Sequence, residues 1–129
     1  MRTISYLIVP ILFLAGVCSA QSVAELQDAR VIENLVAAGS DTSKLHDIDF
    51  FVFLPSRSQA ELAAAEIEQL GHSVASIDQP PDSQSLWQLH ATRRMVPQLD
   101  AMTATTRALT ALASKYGGDY DGWGTGVVK

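Results

Sequence analysis

The chain has 129 residues, 47% of them hydrophobic, with one cysteine and a formal net charge of −5. That length supports one domain with a sizeable core and not two. An acidic chain without a basic cluster lacks the usual phosphate-gripping surface for nucleic acid, and a single cysteine excludes an internal disulfide and a thiolate zinc cage.

The mean hydropathy of +0.12 has a local source. Residues 1–20 hold one charge, Arg2, then an apolar run from Leu7 to Val17, then the small residues Ser19 and Ala20. This is the pattern of a secretory signal peptide, with cleavage expected between Ala20 and Gln21. The run falls short of the roughly 20 apolar residues that cross a bilayer. The expected organisation is therefore a leader over residues 1–20 and one folded domain over residues 21–129. Cys18 would leave with the leader, and the domain would be periplasmic or secreted, free of the membrane once cleaved.

From Val23 to Ala38, apolar residues at Val23, Leu26, Val31, Leu35 and Val36 follow a helical spacing. Ser22 and Glu25 form a capping-box pattern before them, and Gly39 supplies a helix stop. Residues 46–54, HDIDFFVFL, place Ile48, Phe50, Val52 and Leu54 on one face and Asp49, Phe51 and Phe53 on the other. Aromatic and β-branched residues at this density predict a central strand ended by Pro55. Ser58 with Glu61 suggests the cap of a second helix. Ala60, Ala63, Ala64, Ile67 and Leu70 form its apolar stripe and Gly71 its end. His72 to Ile77 reads as a short strand and Asp78 to Ser85 as a loop. Leu86 to Arg94 alternates, with Trp87, Leu89 and Ala91 opposed to Gln88, His90 and Thr92. Pro97 marks the start of a third helix, striped by Leu99, Met102, Leu109, Leu112 and Tyr116 and closed by Gly117 and Gly118. Asp119 to Val128 completes the pattern as a final strand, with Asp121-Gly122 read as a turn.

After the first helix the order is β-α-β-β-α-β. This predicts an α+β, ferredoxin-like domain: a four-stranded antiparallel sheet with two helices on one face, plus the extra N-terminal helix. The helix stripes cover either the Ile48–Phe50–Val52 face or its opposite. The edge strands of such a sheet also allow a homodimer.

No residue set stands out as catalytic. His46, His72 and His90 are the only histidines. His46 and His90 could meet Asp47 or Asp49 across neighbouring strands, but their spacing matches no ligand motif. Asp100, Asp119 and Asp121 have no nucleophile or base–orienter pair marked beside them. Phe51 and Phe53 lack the basic and glycine context of an RNA-binding ferredoxin-like domain. Within GGDYDGWGTG, Tyr120 and Trp123 suit either the core or a binding edge.

Two stretches resemble the RraB family, the regulators of ribonuclease E activity. In residues 38–74 the polar linker Gly39-Ser40-Asp41, the aromatic strand and the helix end Leu70-Gly71-His72 follow the family order. In residues 109–127 the segment Tyr120-Asp121-Gly122-Trp123-Gly124-Thr125 is similar to the family signature. The resemblance spans roughly residues 24–127. It implies a ferredoxin-like, non-enzymatic module that binds a protein, with ribonuclease E as the family's target and no cofactor or metal. Tyr120, Asp121 and Trp123 are the protein-binding candidates. An exported chain would not meet a cytoplasmic nuclease, so the leader implies an envelope partner. A retained leader implies the family target instead. A small metal-binding or enzymatic envelope protein built on His46, His90 and the Asp121 region is the remaining alternative.

Overall fold

Strand β1, His46–Leu54, organises the molecule because it is paired on both sides. The computed structural model describes residue 23 and residues 26–82 and 85–129. The leader, Cys18 and the Ser22–Glu25 capping pattern lie outside the described residues. Helix α1 includes residue 23 and residues 26–37. After β1 come α2 (Arg57–Gln69), β2 (Ser73–Asp78), β3 (Trp87–Met95), α3 (Leu99–Lys115) and β4 (Asp119–Thr125). The sheet order is β2-β3-β1-β4, and every pairing is antiparallel. This is the expected α+β, ferredoxin-like layout, with α1 added to it.

Burial in the folded chain settles which face of β1 is covered. Ile48, Phe50, Val52 and Leu54 are fully buried, while Asp49, Phe51 and Phe53 on the other face remain half-exposed. Each of these buried side chains contributes about 1.5–3 kcal/mol through removal from water. Above them α2 sets down Ala60, Ala63, Ala64 and Ile67, and its alanine-rich face lets the helix lie close to the strands. α3 adds Met102, Leu109, Leu112 and Ala113, and α1 adds Leu35. Several stripe residues are not in this core: Val23, Leu26, Val36, Leu70 and Leu99 are exposed. The first three belong to a helix that touches the body along a narrow line, and the last two stand at helix ends.

Local chemistry sets the helix boundaries. α2 is capped by Ser56, not Ser58: the Ser56 hydroxyl accepts from the Gln59 backbone N–H at 3.2 Å and donates to the Gln59 side-chain oxygen at 2.8 Å. The effective box is Ser-x-x-Gln, because Pro55 ends the strand and the helix begins at once. All three helices stop in the same way. At the end of α2, Gly71 at φ +99° lets its own N–H reach the Glu68 carbonyl and the His72 N–H reach that of Ile67. Gly39 and Gly117 serve α1 and α3 alike.

β4 departs from the expected reading in a way that shapes the site. Asp121-Gly122 is not a turn but a β-bulge within a continuous strand. Phe51 pairs with Gly122, Val52 pairs with Tyr120, and Asp121 is the extra residue between them. Gly122 adopts φ +104°, a conformation that costs glycine little. With strict alternation, Tyr120 and Trp123 would point to opposite faces. The bulge puts both on the helix-covered face.

Candidate functional site

The bulge gathers all three candidate residues at one place. Tyr120, Asp121 and Trp123 line a cleft of about 420 Å³ together with Gln27, Asp28 and Val31 of α1 and Thr106 and Thr110 of α3. That volume lies in the range of small-ligand sites. Asp28 forms its floor and is 3% exposed. One carboxylate oxygen, Oδ1, accepts from the Trp123 indole N–H at 3.0 Å and from the Thr106 hydroxyl at 2.9 Å. Three elements therefore meet on one atom. The other oxygen, Oδ2, is buried without a hydrogen-bond partner among the described residues. Burial, opposed by the neighbouring Thr106 hydroxyl and reinforced by the Asp28 charge, pushes the Tyr120 phenol far above its ordinary range, so it stays protonated.

The three candidates play different parts. Trp123 is buried and anchors α1 to the sheet through Asp28, so its indole works in packing. Tyr120 is half-buried, and Asp121 is exposed at the rim. Sequence reasoning passed over Asp28 and Thr106. The available signal was a polar side chain inside an apolar stripe. Asp28 is one and two helical turns from Ile32 and Leu35, and Thr106 lies between Met102 and Leu109.

The histidines divide between faces and do not meet. His90 lies on the open face of the sheet, with its Nε2 2.7 Å from Asp49 Oδ1 and its ring stacked on Phe51 at 4.9 Å. His46 faces the core and is 1% exposed. Its Nδ1 lies 2.9 Å from the Lys44 carbonyl, which can only accept, so Nδ1 carries the proton. Ser40 Oγ then donates to Nε2 at 2.7 Å and accepts from the Val128 N–H at 2.9 Å. This Ser–His pair has the contact of a nucleophile and base. It is nevertheless buried, it is oriented by a carbonyl rather than a carboxylate, and it holds the C-terminal segment in place. His72 is also buried, edge-on to Phe50 at 5.0 Å, and neither ring nitrogen has a partner among the described residues. No group of three or more metal-ligating side chains occurs among the described residues. Nor is any helix there long and apolar enough to cross a membrane.

Comparison with known proteins places this framework in a family. The family model described as "Regulator of ribonuclease activity B", RraB, matches residues 25–125, which include every strand, both crossover helices and the whole cleft. Proteins with that same name are similar over most of the chain. The one from Xenorhabdus nematophila is 31% identical, over 74% of this chain and 69% of its own length. The one from Aeromonas salmonicida is 27% identical, over 74% and 84%. That from Actinobacillus succinogenes is 26% identical, over 78% and 72%.

Proposed function

The chain belongs to the RraB family, and from that premise we propose that it is a non-enzymatic regulator that acts by binding a protein. The family match across residues 25–125 carries this reading. Two features support it. The Ser40–His46 contact is consumed in holding the C-terminal segment, and the signature around Trp123 builds the fold rather than a reaction centre. We further propose that residues 1–20 direct export and that the partner is met in the periplasm or outside the cell. The charge pattern of the leader supports that part.

A second reading rests on the family resemblance. With the leader retained, the chain would stay in the cytoplasm and restrain ribonuclease E directly. N-terminal sequencing of the native protein, paired with a ribonuclease E inhibition assay, separates the two. A terminus at Gln21 and no inhibition support the exported module. An intact Met1 and stoichiometric inhibition support the cytoplasmic regulator. A chain that turns over a substrate at a rate abolished by Ser40→Ala would overturn the non-enzymatic reading altogether.

A further inference from the structure

The cleft between α1, α3 and β4 holds an unusual combination. A buried carboxylate has one oxygen saturated by two donors and the other left without any. An ionised carboxylate accepts at both oxygens, and a buried acceptor left unpaired costs about 1–3 kcal/mol. The Tyr120 hydroxyl, set beside Thr106, lines the same cleft. A second carboxylate, Asp121, stands exposed at the rim, and no lysine or arginine lines the cleft among the described residues.

The ligand chemistry follows by elimination. An anion would meet two carboxylates. An apolar ligand would leave Oδ2 unpaired. A hard metal ion would find only two carboxylates, one of them already committed to Trp123 and Thr106. A flat cation carrying several N–H donors meets each requirement. It can donate to Oδ2, offset the charge of Asp28 and Asp121, and lie against an aromatic side chain, of which the cleft has two. Guanidinium fits better than ammonium because it is planar, more weakly hydrated and able to donate in two directions.

We propose that this cleft is a binding site for a guanidinium group, with Asp28 Oδ2 and Asp121 as its acceptors. Asp28 Oδ2 has almost no exposed surface, so the proposal requires the cleft floor to open for the ligand's donor. The group could come from an arginine side chain of a polypeptide or from a free small guanidine. This inference stands apart from the regulator reading, and a failure of ribonuclease inhibition leaves it untouched.

The reporter is built in. The Trp123 indole N–H donates to Asp28, whereas Trp87 lies at the start of β3 beside Arg57, outside the cleft. The full chain, labelled with ¹⁵N, is titrated with agmatine, with N-acetyl-arginine methylamide and with the neutral N-acetyl-citrulline methylamide. The expected result is a saturable shift of the Trp123 indole signal with an affinity on the order of millimolar for a guanidinium probe. Trp87 stays still, and citrulline binds about ten-fold more weakly or not at all. Response to agmatine alone identifies a free guanidine as the source. Response to the arginine amide identifies a side chain. Asp28→Asn keeps an acceptor for Trp123 and Thr106 and is expected to abolish binding, and Asp121→Asn weakens it several-fold. The proposal is overturned by no saturable shift with either guanidinium probe or by an equal response to citrulline. Unchanged affinity in Asp121→Asn, an exposed position that does not endanger folding, overturns it as well.

Discussion

Asp28 shows how much one side chain can carry. It joins α1 to α3 and β4 through a single oxygen, so its loss strands two buried donors at once. Asp28→Ala is expected to cost roughly 2–3 kcal/mol, and Asp28→Asn clearly less because Oδ1 survives. Urea denaturation followed at the Trp123 signal measures both, and equal losses would contradict this account. His72 gives a second test at the same scale. Burial, then the nearby Arg93 charge, holds its pKa below the ordinary 6.5. Protons therefore bind the unfolded chain first as pH falls. The contribution of His72 is fully present above about pH 6.5 and is lost as pH drops through the lower folded value. His72→Leu is expected to flatten the acid side of the stability–pH profile. If the slope persists in that variant, the titrating group lies elsewhere.

The elements are held by their ends as much as by their faces. Ser56 closes the first turn of α2, and Ser56→Ala should lower stability by about 1 kcal/mol in the same denaturation assay. The turn between α3 and β4 has less tolerance. A methyl group at Gly118 would run into the Phe53 carbonyl oxygen and the Leu54 side chain, both parts of the central strand. Gly118→Ala is expected to cost about 3 kcal/mol and to lower the melting temperature visibly, while Gly124→Ala, with open space around it, serves as the mild comparison. α2 and α3 are also tied side by side, since Glu66 accepts from both Lys115 and Tyr116. Those hydrogen bonds, with Lys115 first, hold the Glu66 carboxyl below its usual range.

For the molecule as a whole, the two sheet edges decide whether strands can pair between copies. β2 and β4 are those edges, and each carries a bulge, between Val74 and Ser76 in β2 and at Asp121 in β4. Bulges twist an edge out of register with a flat partner. Sedimentation equilibrium at tens of micromolar should therefore return the monomer mass. A stable dimer that dissociates on disrupting β2 or β4 would show that the bulges do not protect these edges.

The element order, the central aromatic strand and the division of its residues between two faces were legible in the sequence because alternation and helical stripes are local properties; which face the helices cover was not. So were the glycine stops, since only the backbone at those positions sets the demand. The family signature was visible too, but its role was not. Strict alternation assigns Tyr120 and Trp123 to opposite faces, and only pairing against β1 reveals the extra residue at Asp121 that reunites them. The choice of Ser56 over Ser58 followed from where the strand ended. Asp28 looked like an ordinary polar residue on a surface helix. Its partners are 78 and 95 residues away in the chain, and a hydrogen bond between such distant positions leaves no periodic trace. The sequence by itself determined which elements form and which residues share a face. The tertiary structure alone decided that a buried carboxylate, two aromatic side chains and a rim aspartate converge on one cleft.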